Sequence, residues 1–176
     1  MRLASVLWNA GRKALSIPRR FVITPLAKKA FQSCGADFYM GKGCDFQGIE
    51  NISVGNHVSF GPRTLIWTTR ARVSIGNWVM FGPGVSIVTG NHRTDVAGIP
   101  MMALSDEDKR PEDDEDVVIE DDCWLGMGCS ILKGTTIGKG CVIAAGAVVT
   151  KSAEPYGIYA GIPARRVANR FQQTMG

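Results

Sequence analysis

The sequence predicts an all-β chain wound as a parallel β-helix of about five coils, and three observations carry that expectation. Aliphatic residues recur every six positions at Ile119, Leu125, Ile131, Ile137, Ile143 and Val149. Glycine follows the inward position at 41, 55, 61, 76, 82, 126 and 138, where a larger side chain would obstruct a tight corner. The register breaks twice, once briefly and once at length. A period of six is neither that of an α-helix nor that of an alternating strand. It fits a chain in which each hexad is a short strand plus a corner, so that three hexads close a triangular coil and the aliphatic residue points inward. Residues 18 apart then stack, pairing Ile119 with Ile137, Leu125 with Ile143, and Ile131 with Val149 along one apolar core.

Each element follows in chain order. Residues 1–36 read as a basic amphipathic helical extension, with seven Arg or Lys and no acid among the first 35. Leu3, Val6, Leu7, Ala10, Ala14 and Ile17 share a helical stripe, and Arg2, Asn9, Arg12 and Lys13 fall mostly elsewhere. Thr24 and Pro25 then start a second helix, which Gly35 can stop. The repeat domain, 37–155, begins roughly at Met40 and Phe46 and continues through Val54, Phe60 and Ile66, then Ile75, Phe81 and Ile87. Pro62 and Pro83 suit turns rather than central ladders. The spacing from Ile66 to Ile75 is nine, so a three-residue insertion bulges one corner and keeps Arg70 out of the interior. Between Ile87 and Ile119 the chain leaves the prism in an excursion, loop 88–118. Loops above about 12–15 residues are usually functional or disordered. Residues 156–176 form a cap in which IPARRVANRF reads as a short helix starting at Pro163.

Composition bounds the function classes. With 45% hydrophobic residues, 21 glycines and 20% charged residues, the chain reads as one folded, turn-rich unit. The net charge of +4 conceals segregation, because residues 95–122 hold twelve of the sixteen acids. Nucleic acid is not an expected partner. No apolar run is long enough for a transmembrane helix, and Asn9, Gly11 and Arg12 interrupt any signal-peptide core. The expected location is cytoplasmic, with the basic extension offering peripheral contact to the inner face of a membrane or to a glycosyltransferase. Packing of that extension on the open end of the β-helix is an equal alternative.

Cys44, Cys123, Cys129 and Cys141 occupy the same small slot of the repeat as Val58, Thr64, Val79 and Val85. They read as compact hydrophobes. There is no C-x-x-C pair and only two histidines stand in the chain, so no metal site is expected. Five free thiols fit a reducing compartment.

His92 stands in SIVTGNHRTD at the last position of the Ile87 hexad, where the long loop departs. A histidine fixed on a rigid corner beside a loop suits a general base, whereas a histidine in a turn is more commonly a solvated or capping residue. His57, at an ordinary repeat position, keeps the second reading.

Taken together, these residues resemble the hexapeptide-repeat acyltransferases over roughly 38–168, and within them the sugar O-acetyltransferases of the maltose and galactoside type. The resemblance implies a left-handed parallel β-helix, against the usual right-handed crossover preference of about 98%. It also implies a homotrimer that binds acetyl-CoA between subunits and transfers acetyl to a sugar hydroxyl in cell-surface glycan synthesis. VSIVTGNHRTD matches the segment carrying the family's base, which implies that role for His92. Asn91 is then a candidate oxyanion donor, and Asp95 a candidate to orient the imidazole or the acceptor. CWLGMGCSILKG, VIAAGAVVTK and YAGIPARRV match the cofactor end, implying Trp124, Met127, Ala145, Thr150, Lys151, Gly161, Arg165 and Arg166 as its contacts. Met127 departs from the small polar residue of several relatives. Trp124 can equally pack a subunit interface, and the arginine pair can equally be an exposed face. Rival readings change the acceptor to serine, an antibiotic or an amino sugar, or keep the fold as a non-catalytic scaffold. A γ-type carbonic anhydrase needs three histidines around zinc and is disfavoured by count.

Overall fold

A computed structural model describes residues 23–171. The predicted stripe over 3–17 lies outside the described residues. Coil one comprises β1 (Ser33–Cys34), β2 (Tyr39–Met40) and β3 (Asp45–Gln47). Coil two holds β4 (Ile52–Val54), β5 (Ser59–Phe60) and β6 (Leu65–Trp67), and coil three β7 (Val73–Ile75), β8 (Met80–Phe81) and β9 (Ser86–Val88). Coil four follows as β10 (Val117–Ile119), β11 (Trp124–Leu125) and β12 (Ser130–Leu132), and coil five as β13 (Thr136–Ile137), β14 (Val142–Ile143) and β15 (Val148–Val149). Strands of equal rank stack in parallel as three sheets. The observed registers Ile119 on Ile137, Leu125 on Ile143 and Ile131 on Val149 are the predicted ones.

The core follows directly from the six-residue period. Ile66, Ile87, Leu125, Ile131, Ile137 and Ile143 are wholly buried, each contributing about 1.5–3 kcal/mol by removal from water. The cysteine slot is packed in the same way, with Cys123, Cys129 and Cys141 buried beside Val58, Val79 and Val85. Close approach of successive coils explains the glycines at 41, 55, 61, 76, 82, 126 and 138. A Cβ on Gly126 would lie 2.6 Å from the Ala145 nitrogen and 2.7 Å from the Ile143 carbonyl oxygen. One corner is also stitched by side chains: Asn77 accepts from the Asn56 backbone N–H at 2.9 Å, and Asp121 from that of Asn77 at 2.7 Å.

Aromatic residues close the first end. Phe31 stacks at 6.5 Å on Phe60, which packs 4.5 Å from Phe81. This explains a difference from the sequence expectation for helix α1 (Thr24–Ala30), which stops before Phe31 rather than at Gly35. Phe31 turns extended to enter the core, and Ser33 and Cys34 already pair with Ser53 and Val54. The coiled region therefore starts ahead of residue 37.

The far end corrects the sequence more strongly. Residues 164–171 are not helical: β16 (Gly157–Ala160) extends the middle sheet, and β17 (Arg165–Asn169) pairs antiparallel to it. A short segment has little helical stability of its own, whereas β16 offers an open edge of hydrogen-bonding groups. Arg170 fastens the end by donating to the Asp122 carboxylate at 2.7 Å.

Candidate active site

The excursion leaves β9 after Val88 and rejoins at Val117, with three short 3-10 turns along it. Its two ends clasp each other. Gly90 and Asp114 form an antiparallel bridge, the Asn91 N–H donates to the Asp113 carbonyl at 2.8 Å, and the Glu115 N–H donates to that of Thr89 at 2.9 Å. His92 is the first residue beyond this clasp and is exposed. The backbone leading into His92 is thus held by hydrogen bonds, and the imidazole stands at the edge of that fixed corner.

Asn91, His92, Thr94, Asp95, Arg110 and Asp113 line a polar pocket of about 430 Å³. Asn91 and His92, neighbours in the GNH stretch, both line it. Asp95 shares the pocket but is occupied by two guanidinium groups, that of Arg93 at 2.7 Å and that of Arg110. Its hydrogen bond from Arg93 holds its pKa below the usual carboxylate range. Asp95 therefore braces the loop between two arginines. Sequence reading missed Thr94, Arg110 and Asp113; their available signal was membership of the charge-rich excursion that begins at His92. Within the acid-rich stretch, Asp106 pairs with Lys109 at 3.0 Å and Asp108 accepts from the Ser105 N–H at 2.7 Å.

Arg70 lies outside the pocket lining but contacts the same excursion. The three-residue insertion keeps it out of the core as expected, but its guanidinium reaches the excursion, donating to the Asp106 carbonyl at 3.1 Å. Both register breaks therefore meet beside the pocket. His57, by contrast, stacks on Trp78 at 3.7 Å with Nδ1 2.9 Å from Asp37, on an ordinary corner of the coil.

The proposed cofactor residues lie along the later coils. Trp124 projects outward from β11, in register with Met80 and Val142, and is about half exposed. Met127, Ala145, Thr150, Lys151 and Gly161 are exposed, and β17 presents Arg165 and Arg166 to solvent. A Cβ at Gly84, Gly128 or Gly146 would meet nothing within 4 Å, so the corner column beside Met127 and Ala145 faces open space. Slender, unobstructed backbone suits an extended amide-bearing arm, and the cations suit phosphates.

The buried thiols of Cys123, Cys129 and Cys141 are poor nucleophiles. Burial pushes the pKa of Cys123 and Cys129 up to about 12. A reactive cysteine needs a thiolate. In native protein at pH 8, Cys123 and Cys129 are expected to resist a disulfide reagent that modifies them after denaturation; rapid native modification of all five thiols would overturn the packing assignment. Among the described residues no three His, Cys, Asp or Glu side chains group as metal ligands.

Comparison with known proteins agrees with this architecture. A family model, Bacterial transferase hexapeptide (six repeats), matches residues 116–151. A hexapeptide-repeat acetyltransferase of Vibrio cholerae O1 biovar eltor, solved with acetyl coenzyme A, is 25% identical, with 93% of this chain and 86% of that one covered and a TM-score of 0.75. A maltose O-acetyltransferase of Clostridium difficile 630 is 28% identical over 83% of this chain and 73% of that one, with a TM-score of 0.71. A curated protein of Lysinibacillus sphaericus named "Probable macrolide acetyltransferase" is 41% identical over 56 residues, a stretch covering 32% of this chain and 31% of that protein. The coil is the left-handed parallel β-helix of these repeats.

Proposed function

We propose that this chain, a hexapeptide-repeat acyltransferase, transfers acetyl from acetyl-CoA to a sugar hydroxyl with His92 as general base. The observation that carries the reading is the exposed imidazole on a clasped corner, facing a pocket lined by amide, hydroxyl, carboxylate and guanidinium groups. Such a lining suits a polyhydroxylated acceptor, whose hydroxyls need both donors and acceptors. Acetyl-CoA supplies the activated thioester. His92 takes the proton from the acceptor hydroxyl as its oxygen bonds to the acetyl carbon, and returns that proton to the sulfur as the carbon–sulfur bond breaks. Asn91 offers an amide donor to the thioester carbonyl oxygen. No acyl-enzyme is needed, in keeping with the buried thiols.

Lys151, Arg165 and Arg166 would hold the phosphates, and the open corner beside Met127 and Ala145 the pantetheine arm; Trp124, Thr150 and Gly161 complete that wall. Met80 and Trp124 are exposed apolar neighbours on the middle sheet, with Tyr39 on the same sheet beyond Ser59, a face that a homotrimer would cover. Cell-surface glycan assembly at the cytoplasmic side of a membrane is the proposed setting; no helix among the described residues is long and apolar enough to cross one. An antibiotic hydroxyl is the second reading, favoured by the locally 41% identical relative.

The test is transfer from labelled acetyl-CoA to a panel of nucleotide sugars, lipid-linked sugars, oligosaccharides and macrolides. Transfer to a sugar hydroxyl supports the proposal, and exclusive transfer to a macrolide or to an amine replaces the acceptor. Arg165→Ala is expected to weaken CoA about tenfold in calorimetry, as loss of one charge-assisted phosphate contact would. An unchanged dissociation constant would return Arg165 to the exposed face.

A further inference from the structure

We infer that Asp114 is a positioning residue for His92: its buried carboxylate, held beside Lys109 and Arg70, braces the clasp from which the imidazole projects. The inference rests on the reading of His92 as the base. Three observations lead to it. The Asp114 side chain is only 4% exposed, although it belongs to a surface excursion. Charge is kept at such a depth only when it is paired, and here Lys109 Nζ lies 3.5 Å from Oδ1 and Arg70 Nη1 3.3 Å from Oδ2. Asp114 is also the bridge partner of Gly90, two residues before His92. Finally, a Cβ at Gly90 would fall 2.0 Å from Asp114 Oδ1, so the backbone leading to the histidine rests directly against the carboxylate.

The surrounding contacts give this brace its direction. Arg70 comes from the insertion after β6 and Lys109 from the middle of the excursion. Both also hold Asp106, through its carbonyl at 3.1 Å and its carboxylate at 3.0 Å. Asp114 therefore joins a corner of the rigid coil, the centre of the loop and the segment carrying His92. None of these groups belongs to the stacked aliphatic core. Loss of the brace should consequently disturb the aim of the imidazole before it disturbs the coil.

Asp114→Asn preserves shape and removes the charge. It is expected to lower kcat about 10- to 100-fold, since a misplacement near 1 Å can cost about 10²-fold. The acetyl-CoA dissociation constant should remain unchanged. The chain has two histidines, so the ring signal of His57 is an internal reference in carbon–proton NMR. The His92 signal should move while that of His57 stays. In a His92→Ala background, Asp114→Asn should cause no further loss. Lys109→Gln provides a second route should Asp114→Asn fail to fold, with the same selective shift of His92 expected. Wild-type kcat and an unmoved His92 signal in the folded variant would overturn the inference, while a crippled His92→Ala would leave the base reading intact. Near-normal turnover of His92→Ala would instead remove the base reading itself.

Discussion

His92→Ala is expected to lower kcat by about 10² to 10⁴ with acetyl-CoA affinity little changed, the range typical of losing one general acid–base group. The split follows from where the residue stands. His92 is exposed at the start of the excursion, whereas the residues proposed for the cofactor lie on coils four and five and on β17. Truncating the imidazole removes no core contact, so thermal stability should also hold. Single-turnover acetyl transfer with calorimetry of CoA binding separates the two effects. Near-normal turnover would reject the mechanism, and a parallel loss of CoA binding would show that His92 acts through the donor site.

Leu125→Ala is expected to cost about 2–5 kcal/mol of stability, the usual range for emptying a buried leucine site. Leu125 is fully buried, stacked between Phe81 and Ile143 in the middle sheet. Neighbouring coils are tied by backbone ladders and cannot close onto the gap independently. Met127→Ala, two residues further and 61% exposed, is the control and should leave the urea midpoint nearly unchanged. Equal midpoints for both variants would contradict the assignment of inward and outward positions.

The contrast between these residues shows what the sequence made readable. A period of six names every inward position, and stacking then follows without tertiary information, as the Leu125 on Ile143 register illustrates. His92 was legible because it ends a hexad just where the repeat stops. Its supports were not. Arg70 and Asp114 lie 44 positions apart, and neither obeys a period that would place them together. Asp95 looked like a partner for His92 because it is close in sequence, but its carboxylate is held by the guanidinium groups of Arg93 and Arg110. Arg165–Asn169 failed for a different reason: the edge that pairs with it belongs to a strand whose end could not be read from local pattern.

The stacked coils also turn length into a countable quantity. His92 leaves from the third coil, and the strand bearing Arg165 lies beyond the fifth, while neighbouring strands are spaced about 4.8 Å apart. Inserting or deleting one whole coil between them would change their axial separation by a single such step without altering either end. The shaft thus works as a ruler with fixed graduations, setting the axial distance between the corner of His92 and the strand bearing Arg165 by the number of turns between them.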